Sequence, residues 1–458
     1  MKALIIISLL GVVAMMAEVL RFKKLLLPLI ALGLMAALVT IVMDWNSDMR
    51  YFNDMVWFNN YALAFSGLVT LITLLWLFIG HDYFMAESNR AEHAALILFC
   101  LAGAMAMISF ADLTMFFIGL EILSISLYAL ASSNKKELRS NEAGLKYFLM
   151  GSFATGFLLF GIALIYGACG SFNLVEIHTA LSKGVSSPVF VKAGVLLIMV
   201  GLLFKVSAVP FHFWAPDVYE GAPTLVTTFM ATVVKTAAFA AFYRLFSSCF
   251  LSFAEYWVPV VAVVSALSML AGNILAVYQT SFKRMLAYSS IAHAGYLLMA
   301  LVAMNEVSAG AILLYAAAYS LGSLGAFACL HAVSQQGNEQ IAALNGLGRR
   351  QPVIGLFLSI IIFSLAGIPP VAGFFAKYYL FYGALMEGYT WLVLLAVLSS
   401  LIGVFYYFRV IYALFKEESE AESGNTGIHA SNLVLLVLTA LLSLGLGLFP
   451  AWIQGLIL

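Results

Sequence analysis

The sequence predicts an all-α polytopic membrane protein with about 14 transmembrane helices of roughly 20 residues each. Of the 458 residues, 64% are hydrophobic and only 10% are charged, and the mean hydropathy is +1.03. Soluble domains carry about 25% charged residues, so a soluble protein of this composition could not cover its surface. The composition excludes a soluble enzyme and a secreted scaffold. The balance of 22 Lys and Arg against 22 Asp and Glu also excludes a nucleic-acid binder.

The apolar residues fall into long runs, each of which predicts a span. The runs lie near 3–20, 25–43, 60–80, 92–110, 112–132, 144–168, 190–211, 222–247, 256–279, 284–304, 308–332, 352–383, 388–415 and 430–456. Only Lys2 precedes the first run, whereas Arg21, Lys23 and Lys24 follow it. A signal peptide has its positive charges before the apolar region. We therefore expect the first run to be an uncleaved span.

The distribution of Lys and Arg predicts the orientation of the chain. Loops after the odd-numbered runs hold fourteen of these residues, and loops on the opposite side hold five. Cytoplasmic loops of membrane proteins carry the excess of positive charge. Both termini are therefore predicted to lie on the side of the membrane opposite the cytoplasm. The other three cations, Lys205, Lys235 and Lys377, fall inside apolar runs.

Charged residues inside the runs are the candidate functional residues. They are Glu121, Lys205, Lys235 and Lys377, and a charge at the centre of a bilayer costs about 2.5–3.5 kcal/mol. A static ion pair between helices is one explanation, but one mid-span carboxylate cannot neutralise three lysines. Lysines in apolar surroundings give up protons near neutral pH, which favours a proton relay. His293, in the tenth run, is either a further proton carrier or a hydrogen-bonded packing residue.

Two of the runs are interrupted by proline. Val209-Pro210 and Pro216 interrupt the seventh run, and Pro369-Pro370, beside Gly367, interrupts the twelfth. Proline removes a backbone hydrogen bond for which lipid offers no replacement. Broken helices therefore face protein or water, and in transporters they mark the ion site. Packing alone could explain either break, but each lies beside an intramembrane lysine.

The two breaks also resemble each other. Residues 204–210 align with residues 363–369 at an offset of 159. The two runs are five spans apart, and a repeat of five helices inserts its second copy upside down. The sequence therefore predicts an inverted repeat of five helices, the architecture that places ion sites at the midplane.

Other motifs contribute less to the functional prediction. The four cysteines are scattered, and no CxxC, G-x-G-x-x-G or Walker A sequence is present. We expect no iron–sulfur cluster, nucleotide or structural zinc in this chain. His212, Asp217 and Glu220 follow the seventh run. They form either a proton entrance or a hydrated loop.

Longer stretches closely resemble one family. These are KVSAVPFHFWAPDVYEGAPT at 205–224, FKRMLAYSSIAH at 282–293, GLEILS at 119–124 and GIPP at 367–370. They resemble the subunit N family of bacterial NADH-quinone oxidoreductase, respiratory complex I, over essentially the whole chain. The YEGAP form at 219–223 and the lysine at 377 are like subunit N rather than the related L and M subunits.

The resemblance implies a proton-pumping membrane subunit of a translocating enzyme in the bacterial inner membrane, with both termini periplasmic and with spans 4–8 and 9–13 as inverted repeats. The units would be three N-terminal helices (1–90), the two repeats (91–250 and 251–417), and a cytoplasmic loop with a last span (418–458). Glu121 and Lys205 would form a switchable pair, Lys235 and His293 would relay the proton, and Lys377 would pass it towards the exit. NADH, FMN, iron–sulfur clusters and quinone would belong to partner subunits, with no cofactor in this chain. The partners would be a neighbouring antiporter-like subunit, small membrane subunits and lipid.

Two other functions fit the same residues. An antiporter subunit of a multisubunit Na⁺/H⁺ exchanger would share the lysine and glutamate pattern, but it would depend on sodium rather than NADH. A scaffold subunit would hold its buried charges in static contacts, and their loss would harm assembly only.

Overall fold

A computed structural model of the chain describes residues 1–19, 25–86, 90–185, 187–334, 339–417 and 429–456. Within these ranges the fold is helical apart from one short hairpin. Arg21, Lys23 and Lys24 lie outside the described residues, as does the stretch 418–428 of the predicted C-terminal loop.

The N-terminal region contains three helices and the hairpin. The elements are α1 (Lys2–Met16), α2 (Leu26–Met43), β1 (Met49–Tyr51), β2 (Val56–Phe58) and α3 (Asn60–Ala86). The hairpin and a short amphipathic helix further along the chain were not predicted, because each is too short to produce a long apolar run. Arg244 holds the hairpin in place: its guanidinium donates to the Trp57 carbonyl and to the Ile108 carbonyl, both at 3.1 Å.

The next region carries the first predicted repeat. Its helices are α4 (Arg90–Ser109), α5 (Leu113–Ala131), α6 (Leu138–Cys169), α7 (Leu174–Lys183), α8 (Pro188–Lys205), α9 (Trp214–Gly221), α10 (Thr224–Phe229) and α11 (Lys235–Ser248). A π-helix, Met230–Val234, joins α10 to α11 in one continuous span. The short amphipathic helix is α7, which buries Leu174, Ile177 and Leu181 on one face.

The remaining helices complete the bundle. They are α12 (Ala254–Val277), α13 (Phe282–Ala303), α14 (Ser308–Ser334), α15 (Leu347–Arg350), α16 (Pro352–Ala366), α17 (Ala372–Met386), α18 (Thr390–Phe415), α19 (Ala430–Leu448) and α20 (Pro450–Gln454). Two 3₁₀ turns, Leu251–Phe253 and Ile341–Leu344, lie between them.

The helices confirm the predicted class of all-α polytopic membrane protein. In the described part of the chain, twelve helices are long and apolar enough to cross a membrane, and α1 and α16 are shorter apolar helices. The total of fourteen spans stays a prediction. The span formed by α10 and α11 is wholly buried, as is α14, whereas α2 is mostly exposed. The centre of the bundle therefore lies around α10, α11, α13 and α14.

Both predicted breaks are present, and both begin with the same turn. Helix α8 ends at Lys205, and the Ser207 and Ala208 amides donate back to the last turn at 3.0 and 2.9 Å. Helix α16 ends at Ala366. The Gly367 and Ile368 amides donate hydrogen bonds to carbonyls of its last turn at 3.1 and 3.0 Å. Each set has the paired bonds of a Schellman motif, which satisfies carbonyls that lipid would leave unpaired.

The turn also corrects the sequence alignment of the two breaks. Ser207 and Gly367 occupy the left-handed position, with φ of 62° and 83°. The backbone therefore equates Ser207 with Gly367, whereas the sequence comparison paired Ser207 with Ala366. The alignment was displaced by one residue because it matched Pro210 to Pro369 instead of Pro370. The inverted repeat itself stays a prediction.

Some helices, including the two pairs that follow, approach so closely that their backbones touch. Gly103 and Gly119 lie where α4 crosses α5, and Gly272 and Gly295 lie where α12 crosses α13. A Cβ atom added at any of the four would lie 2.5–2.7 Å from a backbone nitrogen of the facing helix. Small residues permit this approach in membranes, where packing rather than the hydrophobic effect holds helices together.

Replacing Gly119 by alanine is expected to separate α4 from α5. Overpacking of this kind costs about 1–3 kcal/mol, so the midpoint of thermal unfolding in detergent should fall. Reaction of a fluorescent thiol reagent with the buried Cys100, Cys249 and Cys329 measures that midpoint. Gly156→Ala is the matched control, because no described atom lies within 4 Å of the added Cβ. Equal midpoints for the two variants would contradict the packing argument.

Candidate functional site

The five predicted relay residues lie on five different helices. Glu121 is in the middle of α5, Lys205 ends α8, Lys235 begins α11, His293 lies in α13 and Lys377 lies in α17. Glu121 is half-buried. The lysines and the histidine are only 3–7% exposed. Each of these four must therefore take its hydrogen-bond partners from the protein.

Lys205 is bound by neutral hydroxyl groups. Its ammonium donates to the Ser124 hydroxyl at 2.8 Å and to the Tyr147 hydroxyl at 3.3 Å. Glu121 lies one turn from Ser124 on α5, but no Lys205–Glu121 ion pair within 4 Å occurs among the described residues. In the same part of the structure, Oε1 of Glu121 is buried without a hydrogen-bond partner. The two charges thus lie on neighbouring elements without direct contact.

Lys235 follows the π-helix Met230–Val234 directly. A π-helix widens the turn by one residue and is frequent at functional sites. The Lys235 ammonium donates to the Ser290 carbonyl at 2.6 Å and also to the Ser290 hydroxyl. The Tyr319 ring lies 5.8 Å from the same nitrogen. This lysine is therefore held between α13 and α14 by neutral groups.

His293 lies one turn after Ser290 on α13. Its Nδ1 is 2.7 Å from the Tyr315 hydroxyl, and its Nε2 is 3.1 Å from the Tyr407 hydroxyl. The Tyr407 hydroxyl is in turn hydrogen-bonded to Ser289. Because a hydroxyl can donate or accept, the imidazole keeps both partners in either protonation state.

Lys377 binds the end of the broken helix α16. Its ammonium donates to the Ala366 carbonyl at 2.7 Å and to the Ser400 hydroxyl at 2.8 Å. The carbonyl end of a helix favours a cation, and Lys205 likewise stands at the carbonyl end of α8. Lys377, His293 and Tyr319 line one small cavity of about 10 Å³. The structure therefore brings these two predicted relay residues together.

The three lysines share one electrostatic property. Within the described residues, Lys205, Lys235 and Lys377 form no ion pair, and all their hydrogen-bond acceptors are neutral oxygens. This arrangement differs from the static ion pair considered above. A cation held by hydroxyl groups can lose its proton without leaving a buried carboxylate unpaired.

Sequence patterns did not identify the partners of the relay residues. The partners are Ser124, Tyr147, Ser290, Tyr315, Ser400 and Tyr407. Their common signal is a hydroxyl group inside an apolar run. The chain has many serines and tyrosines in such runs, so only the packing of the helices distinguishes these six.

A second polar cluster lies at the ends of α6 and α13 and on α9, on the side predicted to be cytoplasmic. Lys146 pairs with Glu142 at 2.7 Å and with Asp217 at 2.9 Å, and Arg284 joins Asp217, at 3.2 Å, to Glu220. The charges alternate along this chain of ion pairs, which borders a cavity of about 260 Å³. The cluster connects α6, α9 and α13.

Asp217 is the shared member of the cluster, and its pKa lies below the ordinary value. Partial burial alone raises this pKa, but the hydrogen bonds and charges of Lys146 and Arg284 outweigh the burial. His212, which was grouped with Asp217 in the sequence, lies outside the cluster and packs on the ring of Phe213 at 4.4 Å.

Replacing Gly367 by alanine is expected to displace the Lys377 side chain. The added Cβ would lie 2.8 Å from Cδ and 3.0 Å from Nζ of Lys377. Gly388→Ala is the matched control: its φ of 79° imposes the same backbone strain, but no described atom lies within 4 Å. A cryo-EM map should show the Lys377 ammonium withdrawn from the Ala366 carbonyl in the first variant only. An unmoved lysine would show that the cavity absorbs the methyl group.

Replacing Asp217 by asparagine is expected to lower the unfolding temperature by a pH-independent amount in the neutral range. A carboxyl with a lowered folded pKa stabilises the fold above its ordinary pKa, and this stabilisation disappears as the pH falls through the folded pKa. The ordinary value is 3.8. The difference in unfolding temperature between the parent and the variant should therefore be equal at about pH 7 and about pH 5.5. A difference that shrinks by half at the lower pH would contradict the ion pairing.

Comparisons with known proteins agree with this fold and site. Residues 111–403 match the family model described as NADH:quinone oxidoreductase/Mrp antiporter, TM. NADH-quinone oxidoreductase subunit N of Cytophaga hutchinsonii is 43% identical over 98% of both chains, and that of Flavobacterium johnsoniae is 41% identical over the full length of both.

Solved structures share the architecture. A chain of respiratory complex I from Thermus thermophilus has 32% identity and a TM-score of 0.84 over 99% of this chain and 98% of its own. A chain of the Mrp complex from a Dietzia species has a TM-score of 0.88 over 99% of this chain and 95% of its own, but only 21% identity, and so shares the fold alone.

The fold and the buried lysines thus define an antiporter-like membrane protein with broken helices. The full-length relatives narrow this class: the chain belongs to the subunit N family of NADH-quinone oxidoreductases.

Proposed function

We propose that this chain is a proton-translocating membrane subunit of NADH:quinone oxidoreductase. Protons would pass through Glu121, Lys205, Lys235, His293 and Lys377, driven by redox chemistry in other subunits. The observation that carries the proposal is that the three buried lysines are bound by neutral oxygens rather than by carboxylates. NADH, FMN, iron–sulfur clusters and quinone belong to the partner subunits.

The hydrogen bonds suit reversible protonation. A charged Lys235 donates to Ser290, and a neutral Lys235 can accept a hydrogen bond from the same hydroxyl. The Ser290 carbonyl continues to accept from the amine in both states. Loss of the proton therefore leaves no buried polar group without a partner, so the large penalty for an unsatisfied group is avoided.

The trigger of the relay is the separation of Glu121 from Lys205. When the carboxylate is close, its charge favours the protonated Lys205. When the two are apart, the Lys205 charge repels a proton on Lys235 and drives it onward. Glu121 lies on a face of α5 where Ile118, Ile122 and Ile125 are exposed. A neighbouring membrane subunit on this face could move the carboxylate.

The second half of the relay leads from Lys235 to Lys377. Ser290, which holds Lys235, is one turn from His293, and His293 shares a cavity with Lys377. Each proton moved outward works against about 2.3 kcal/mol per 100 mV of membrane potential. This chain supplies the path, and the oxidation of NADH in other subunits supplies the energy.

The test compares Lys235→Ala with Lys416→Ala in inverted membrane vesicles. Lys235 is buried in the relay, whereas Lys416 is exposed on the surface. After the amount of assembled complex is confirmed, NADH oxidation and NADH-driven proton pumping are measured together. We expect both activities to fall in Lys235→Ala and to stay at the parent level in Lys416→Ala. Glu121→Ala and Lys205→Ala should behave like Lys235→Ala.

Two other outcomes would replace the proposal. Parent-level pumping in all three relay variants would mean that the buried charges serve assembly only, as in a scaffold subunit. Sodium-driven proton exchange without any NADH-linked pumping, even in the parent strain, would assign the chain to a Na⁺/H⁺ exchanger.

A further inference from the structure

We infer that Asp217 and Arg284 are positioning residues that connect Lys205 mechanically to the partner of Lys235. This inference rests on the proposed function and names residues outside the relay itself. It assigns a role to the chain of ion pairs that joins α6, α9 and α13. The connection has three links, each made by contacts of buried or half-buried side chains.

The first link joins Lys205 to α9. Tyr147, which binds the Lys205 ammonium, stacks on Trp214 with the ring centres 4.6 Å apart and the planes 13° apart. Trp214 is the first residue of α9, and its indole nitrogen donates to the Phe204 carbonyl at 3.1 Å. Trp214 therefore touches both the partner of Lys205 and the residue before it. A displacement of Lys205 must displace α9 or break these contacts.

The second link joins α9 to α13. Asp217 lies one turn after Trp214 and binds Arg284 of α13 at 3.2 Å. Lys283, the neighbour of Arg284, donates to the Glu220 and Ala222 carbonyls at 3.1 and 2.8 Å, at the end of α9. The middle and the C-terminal end of this short helix are thus held by adjacent residues of α13.

The third link runs along α13 to Lys235. Ser290 is six residues beyond Arg284, which corresponds to about 9 Å along a helix. The helix is uninterrupted between the two residues and is almost wholly buried. Because Ser290 provides both oxygens that hold Lys235, a shift of α13 changes the site of the second lysine.

Helix α6 reinforces the connection. Lys146 binds Asp217 at 2.9 Å, and the next residue, Tyr147, binds Lys205. Two adjacent residues of one helix therefore hold the relay lysine and the shared carboxylate. A Cβ added at Gly221 would lie 2.5 Å from the Arg139 carbonyl, so the end of α9 is seated directly on the start of α6.

The experiment measures protons pumped per NADH oxidised for Asp217→Asn, Arg284→Gln and the double variant in assembled complex. We expect each single variant to lower this ratio below the parent value, because NADH oxidation continues while the site of Lys235 no longer follows Lys205. The double variant should lower it no further, because both changes break the same link. Asp217→Glu, which keeps the carboxylate, should restore most of the ratio.

Arg139→Gln is the matched control for Arg284→Gln. Arg139 borders the same cavity but forms no ion pair in the described part of the chain. This variant should keep the parent ratio. Lys235→Ala, measured in parallel, reports on the proposed function separately from the link.

Each outcome decides the inference. Parent ratios in Asp217→Asn and Arg284→Gln, with pumping lost in Lys235→Ala, would overturn the mechanical connection and leave the proposed function standing. Proton pumping and NADH oxidation at the parent level in Lys235→Ala as well would overturn both. If the complex that carries Asp217→Asn does not assemble, Arg284→Lys is measured instead. This variant removes the forked guanidinium group but keeps the positive charge. The same fall in the ratio is then expected, and an unchanged ratio would refute the link.

Discussion

An ammonium group surrounded by hydrocarbon must obtain every hydrogen bond from the protein, and this constraint explains most of the polar architecture. Lys377 obtains one from the open carbonyl end of α16, which exists only because that helix is broken. Lys205 obtains its hydrogen bonds from serine and tyrosine hydroxyls, and Lys235 from the hydroxyl and the carbonyl of Ser290. The helix breaks and the buried hydroxyls thus serve the same purpose. They let a membrane bundle hold cations without binding them in ion pairs.

The two breaks share a turn but place their lysines on opposite sides of it. Lys205 precedes the left-handed residue Ser207, whereas Lys377 follows the left-handed residue Gly367. In the second break the lysine side chain folds back over the turn, so that even one methyl group at Gly367 would touch it. In the first break the lysine points away to Ser124, and a serine fits. At Gly367 the lysine therefore adds a steric limit to the strain that the left-handed backbone already imposes on other residues.

The class of fold and the charged residues of the site could be predicted because each leaves a strong local signal. Apolar runs marked the helices, and a lysine such as Lys235 is conspicuous inside one. The hydroxyl partners could not be predicted, because a serine such as Ser290 differs from other serines only by what packs against it. The π-helix before Lys235 and the hairpin at Trp57 correspond to no long apolar run and to no hydrophobic periodicity, so they could not be predicted either. The sequence predicted the positions of both breaks. The alignment of one break with the other was wrong by one residue, because it was based on the prolines.

The glycine crossings of α4 with α5 and of α12 with α13 have a consequence for the electrical behaviour of the protein. Backbones in contact form stiff pairs that resist sliding, so few protein charges can travel across the membrane field during turnover. Under the proposed function, nearly all the charge displaced is then the proton's own. Such a subunit would show almost no transient charge movement of its own when the voltage is stepped without NADH, unlike a voltage sensor, whose arginines carry the current.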